Sequence, residues 1–389
     1  MSGRDARQKG APLGGYSRRS IQSAAVVFLT GVTGFLGGAC LAALLDATEQ
    51  DEIVCLVRAE DQDTAEERVR RSVARFGGPE VLPPNVQVLR GDLLSTEWHR
   101  SPLLNSVTHV LHLAASTSFG SNAGIRRTNV DGALSVASAM QGRRLQRYIH
   151  TGTATICGAT PPHVVQEDDY PSATAEHLLP YTRSKAEAEL KLTERYADLP
   201  LVIARPSIVV GDTRFGCAPS GSIFWVLRSF EALRFLSWNP ANHVDVVPVD
   251  WAASALTHLL HAPTLPYQRY HVSAGLGSSI TWEQLAAEYA RIHGGPSKDR
   301  YEIGNIVQLT SQRIRSAIGQ GQTRHLRQAL ELYSRFCSLD LVFDNSRLLE
   351  TGVAPPPPFT QYMRRCLETS PSGIYEQMRV DLEASLVLV

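Results

Sequence analysis

The sequence predicts an α/β fold, a doubly wound parallel sheet followed by a smaller, mostly helical C-terminal domain. Three observations carry this. Short apolar runs alternate with helical stretches from residue 24 to residue 211. The first run ends in a glycine-rich turn that opens a helix. Beyond Gly211 the alternation loosens into aromatic, glycine-rich and then mainly helical sequence.

Residues 1–23 are rich in Gly, Arg and Ser and read as a flexible tail. Ala25–Leu29 is a buried strand, and Phe35–Asp46 is the helix after the turn. Ile53–Val57 is a second strand. Thr64–Arg75 is a charged helix with acids placed before bases at helical spacing. Val86–Leu89 and His109–Leu113 are the third and fourth strands, Asn129–Met140 a helix, and Arg147–His150 a fifth strand. A long Ala-, Glu- and Lys-rich helix covers Tyr181–Tyr196, and Leu201–Ala204 is a sixth strand. The domains expected are therefore 24–211, which would bind a nucleotide, and 212–389, a substrate or lid region. A stretch at about 244–262 returns to the first domain.

The chain has 389 residues, 43% hydrophobic and 20% charged, enough to bury a core and too apolar for wholesale disorder. Lys+Arg and Asp+Glu both number 38, which argues against a nucleic-acid partner. Six scattered cysteines without a C-x-x-C clip suit a reducing, cytoplasmic setting, and twelve histidines without ligand spacing give no reason to expect a metal. Ile21–Leu45 is uncharged behind a basic tail, and Leu36–Cys40 resembles a lipobox. Glycines at 31, 34, 37 and 38 interrupt it, so a soluble motif is expected rather than a signal or transmembrane segment.

That motif is Thr30-Gly31-Val32-Thr33-Gly34-Phe35-Leu36-Gly37. Glycines let the backbone turn tightly and approach a pyrophosphate at a helix N-terminus, where amide N–H groups lack partners. The spacing is G-x-x-G-x-x-G. Arg58 ends the second strand, where an acid would hold a ribose hydroxyl and an arginine a 2′-phosphate. NADPH is therefore the expected cofactor, with NADH the alternative.

Tyr181 and Lys185 stand four apart at the start of the long helix, on one face. An adjacent ammonium stabilises phenolate, so Lys185 is expected to lower the Tyr181 pKa from about 10 and make it a general acid for a carbonyl receiving hydride. Thr151-Gly-Thr153-Ala-Thr155 follows the fifth strand, where Thr153 would hold that carbonyl.

Together these segments resemble the short-chain dehydrogenase/reductase superfamily in its extended branch, and within it the fatty acyl-CoA reductase (male-sterility) and thioester-reductase group. The resemblance spans about residues 24–275, through TGVTGFLGG (30–38), VCLVRA (54–59), RGDL (90–93), HLAAST (112–117), YTRSK (181–185), RPSIVVGD (205–212) and DVVPVDWAASA (245–255). It implies a Rossmann-like NAD(P)-binding core. It implies that Tyr181 is the proton donor, that Lys185 binds the nicotinamide ribose, and that Thr153 holds the carbonyl. Gly31, Thr33, Gly34, Phe35, Leu36 and Gly37 would form the phosphate turn. Asp92 and Leu93 would meet the adenine, Ala114 and Ala115 would wall the cofactor, and Pro206 and Ile208 would lie near the nicotinamide. Asn129 matches a bracing asparagine. Two departures, Gly152 and Cys157, bear on substrate shape.

The substrate implied is an acyl thioester, fatty or polyketide, reduced to aldehyde or alcohol. It would arrive as a CoA ester or on an acyl carrier protein. Phe215, Phe224, Trp225, Phe230, Phe235 and Trp238 suit a long hydrophobic substrate or an ordinary core, and five arginines between residues 313 and 335 suit an acidic carrier or a solvated helix face. A ketone reductase or alcohol dehydrogenase acting on a hydrophobic secondary metabolite, a sugar-nucleotide epimerase, and a non-catalytic dinucleotide sensor are the other readings.

Overall fold

A computed structural model describes residues 24–48, 50–117, 123–172, 174–294 and 301–386. The expected tail, 1–23, lies outside the described residues. Seven strands form the main sheet: β1 (Val26–Thr30), β2 (Glu52–Val57), β3 (Val86–Arg90), β4 (His109–His112), β5 (Arg147–Thr151), β6 (Leu201–Pro206) and β7 (Arg269–Val272). Their order is β7-β6-β5-β4-β1-β2-β3, and every neighbouring pair is parallel. The order reverses between β1 and β4, which places a crevice at the carboxyl ends of these two strands.

Helix α1 (Phe35–Ala47) holds a single charged residue, Asp46, and packs between the sheet and a second helix. Helix α2 (Gln62–Ala74) buries only Ala65, Val69, Ser72 and Val73, and Asp61 caps it by accepting from Thr64 N at 2.7 Å. On the other face α3 (Gly132–Met140) and α4 (Pro180–Arg195) cover Phe28, Val54, Val110, Tyr148 and Ile203. The parallel sheet is thus apolar on both faces, as its strands require.

Two elements differ from the sequence reading. The helix expected from Asn129 begins earlier, at Ala123–Arg126, and passes through one π turn at Arg127–Asp131. The seventh strand was not foreseen, because Arg-Tyr-His-Val is only four residues and half polar. It is recruited by pairing with β6 at the sheet edge.

Past β6 the chain forms a second apolar core from Val210 to Met378, built on α5 (Phe224–Leu233). Helix α6 (Val249–His261) leaves that core and packs its Ala252, Leu256 and Leu260 with α1 in the first one. Five of the six aromatic residues that suited a substrate, Phe224, Trp225, Phe230, Phe235 and Trp238, are buried in the second core. Phe230 packs edge-on against Trp238 and Trp282, so core packing accounts for these rings.

Candidate active site

The glycine turn sits at the carboxyl end of β1. Gly31 has φ +76°, and a Cβ there would stand 2.6 Å from Ala114 N on the neighbouring β4 loop. A side chain on Gly37 would collide with the Gly31 carbonyl oxygen. Gly34 is the N-cap of α1 and provides no side-chain cap, and the first turn holds no acid. Its amides therefore remain for an anion. The residues present fit a dinucleotide pyrophosphate, with Thr33, Phe35 and Leu36 filling the turn only partly buried.

The other expected cofactor residues come to the same edge. Arg58 follows β2 and Asp92 follows β3, with Arg58 Nη1 and Asp92 Oδ2 3.9 Å apart. Asp92 also accepts from Leu94 N at 2.8 Å, beside the half-buried Leu93. Ala114 and Ala115 follow β4, and Ala114 N donates to Thr30 Oγ1 at 3.3 Å. Pro206 ends β6, and Ile208 pairs with Val246 just beyond it.

Thr153 caps a short 3-10 turn, Ala154–Cys157, directly after β5. Its Oγ1 lies 3.0 Å from Thr155 Oγ1 and 3.5 Å from the Pro206 carbonyl. Tyr181 is the second residue of α4, after Pro180 at the first helical position, and its buried phenol lies close enough to Thr153 for that side chain to draw its pKa down. Lys185 is 4% exposed and donates from Nζ to the Thr151 carbonyl at 2.7 Å. The expected trio is brought together.

The electrostatics differ from expectation. Burial pushes the Tyr181 phenol up to about 12, and Thr153 only partly opposes this. The Lys185 ammonium is spent on Thr151, and burial pushes Lys185 down to about 8 against the pull of Glu189. Desolvation outweighs the pairing that the spacing implied.

The supporting residues include Asn129, expected as a bracing asparagine, and Arg75, Glu189 and Arg205, which escaped the sequence reading. Asn129, in the π turn, accepts from Ser116 N at 2.7 Å and donates to Ser184 Oγ at 2.9 Å, tying β4 to α4. Arg75 Nη2 donates to the carbonyls of Thr33 and Gly34 at 3.2 and 3.3 Å and so braces the glycine turn from behind. Glu189 and Arg205 form a fully buried pair at 2.8 Å. A Cβ on Gly152 would strike the Glu189 carboxylate, so this departure makes room for the ion pair rather than shaping a substrate. Cys157 is half-buried, packed near Val165 and Phe343. Of the arginines between 313 and 335, Arg313 pairs with Glu302 at 2.6 Å and Arg327 with Glu331 at 3.5 Å.

Comparison with known proteins places this geometry. Residues 29–256, more than half of the chain, match the model of the male sterility protein family. The chain belongs to that family. The family is an extended short-chain dehydrogenase/reductase group, and its members are NAD(P)-dependent oxidoreductases. Among curated relatives, the nonribosomal peptide synthetase asaC of Aspergillus flavus is 30% identical over 61% of this chain and 25% of its own length. The aldehyde reductase lnbA of Aspergillus flavus is 26% identical over 69% of this chain and 29% of its own. The chain thus spans between 10% and 29% of the length of these and other curated relatives it matches. The terminal R domain from the myxalamid PKS-NRPS biosynthetic pathway has the same fold, with a TM-score of 0.73 at 21% identity over 90% of this chain and 91% of that one. Among the described residues of this family member, no helix is long and apolar enough to cross a membrane.

Proposed function

We propose that the protein reduces the carbonyl of a hydrophobic acyl thioester, delivered by an acyl carrier protein or CoA, to an aldehyde or alcohol. The observation that carries this is the juxtaposition of the Tyr181 phenol with Thr153 at the carboxyl end of β5, beside Lys185, in a chain of this family. Relatives named as nonribosomal peptide synthetases support a carrier-bound substrate. Those named as aldehyde reductases support a second reduction, or free aldehyde as substrate.

Bound NADPH would supply the hydride. Gly31, Gly34 and Gly37 would take its pyrophosphate, Arg58 its 2′-phosphate, and Asp92, Leu93, Ala114 and Ala115 its adenosine side. Pro206 and Ile208 would line the nicotinamide end. Thr153 would donate to the substrate oxygen, and Tyr181, kept protonated by its desolvated setting, would deliver the proton there. Lys185 would keep its ammonium at the ribose. Hydride addition to a thioester carbonyl gives a hemithioacetal, whose collapse breaks the carbon–sulfur bond and releases aldehyde and thiol. Residues 24–211 serve as the cofactor-binding domain and 212–389 as the substrate or lid region, in a cytoplasmic protein.

The test is nicotinamide oxidation by the purified protein with palmitoyl-CoA, a carrier-bound acyl thioester, the free aldehyde, and hydrophobic ketones. Turnover of either thioester supports the reading. Turnover of ketones alone replaces it with a ketone reductase.

A further inference from the structure

We propose that His163, His243 and Asp340, none of them among the residues of the site described above, bind a divalent transition-metal ion. The three lie far apart in sequence. His163 precedes the two-residue strand Val164–Val165, His243 belongs to His243–Val244, and Asp340 precedes Val342–Phe343. His163 Nδ1 is 3.2 Å from Asp340 Oδ2, and His243 Nδ1 is 3.1 Å from Asp340 Oδ1. The three ligand atoms all lie within 4.8 Å of one another.

Tetrahedral zinc holds nitrogen and oxygen ligands at about 2.0–2.2 Å, which sets neighbouring ligand atoms about 3.3 Å apart. The nitrogen–oxygen separations, one to each carboxylate oxygen of Asp340, are each close to that edge. The carboxylate is already aimed, because His243 N donates to Asp340 Oδ1 at 2.7 Å.

In the structure His163 Nδ1 donates to the Asp340 carbonyl oxygen at 2.5 Å. An ion would replace the ring protons at both histidines, releasing any it displaces. Two imidazoles and one carboxylate suit zinc, cobalt or nickel rather than magnesium or calcium. The side chains are 47, 30 and 35% exposed, which admits the ion and leaves a position for water. Val164–Val165 pairs with Val342–Phe343, so an ion would staple that ladder at its start. The segment it steadies runs directly from the Thr153 turn.

The experiment strips the protein with a chelator and titrates Co²⁺, following visible absorption and thermal midpoint. One saturable Co²⁺ per chain, displaced by Zn²⁺ and raising the midpoint, is expected. The His163→Ala/His243→Ala double variant and Asp340→Asn should each bind at least about tenfold more weakly. Circular dichroism and NADPH binding should be unchanged in both, showing an intact fold. A wild-type protein with no saturable cobalt band, or a band that survives in the double variant, overturns the proposal.

Discussion

Lys185 Nζ donates to the Thr151 carbonyl at 2.7 Å, one helical turn after Tyr181, whose buried phenol lies against Thr153 two residues further along the same loop. The two side chains therefore grip one strand end at two points. Burial lowers Lys185 to about 8, while Glu189, one turn on, raises it. The ammonium charge proposed to hold the ribose is fully present below that value and lost as pH rises through it. The kcat/KM profile should fall above about pH 8. Glu189→Gln removes the opposing carboxylate, so the limb should move to lower pH. An unmoved limb would mean that another group titrates there.

Tyr181→Phe removes the hydroxyl proposed as proton donor and leaves the shape. The expected outcome is a loss of roughly 10²–10⁴-fold in kcat. The dissociation constant for NADPH, read by fluorescence titration, should stay within a few-fold. A loss of binding equal to the loss of rate would make Tyr181 a cofactor-positioning residue.

The parts of the fold legible in the sequence were those with strong local signals. Gly31-Val-Thr-Gly34 could be read because a tight turn into a helix needs residues without side chains, and β1, β2 and β6 because two-sided burial makes them largely apolar runs. What stayed hidden depends on long-range partners. Arg75 reads as one more charge on a solvated helix, yet it reaches the Thr33 and Gly34 carbonyls. Glu189 and Arg205 sit on different elements, and nothing local marks either as 1% exposed. The Tyr181–Lys185 spacing was read correctly as one helical face, but spacing says nothing of desolvation, which sets both pKa values. The one legible trace of the buried pair was Gly152, where a side chain was missing.

Gly152→Ala tests that trace. The added Cβ meets the Glu189 carboxylate, which Arg205 fixes with bonds of 3.0 and 2.8 Å. A free glutamate would swing aside, whereas this one has to leave its partner in a buried site. A destabilisation of about 1–3 kcal/mol is expected in urea titration. Glu189→Ala, which strands the guanidinium, should cost about 3–5 kcal/mol. An undisturbed Gly152→Ala protein would show that the pair has slack.

We propose that Arg58 selects NADPH over NADH. A charge-assisted bond to a 2′-phosphate contributes about 1.5–3 kcal/mol, or roughly ten- to a hundred-fold in affinity. Arg58→Ala should raise the NADPH KM by that factor and leave the NADH KM nearly unchanged. Equal effects on both would assign Arg58 to the adenosine side in general, next to Asp92.

His271 is buried on β7, its Nδ1 2.8 Å from the Asp344 carbonyl, and burial with Arg205 nearby lowers it to about 3. Burial likewise lowers His112 to about 3 and His109 to about 4. The unfolded chain, with histidines near 6.5, binds protons that the folded chain refuses across the window from about 6.5 down to 3. Stability is therefore complete above about pH 6.5 and falls as pH drops through that window. One proton corresponds to a slope of about 1.4 kcal/mol per pH unit. His271→Gln should flatten the acid limb of unfolding free energy by up to that amount, whatever its effect at neutral pH. Parallel limbs for variant and wild type would mean that His271 takes its proton without unfolding.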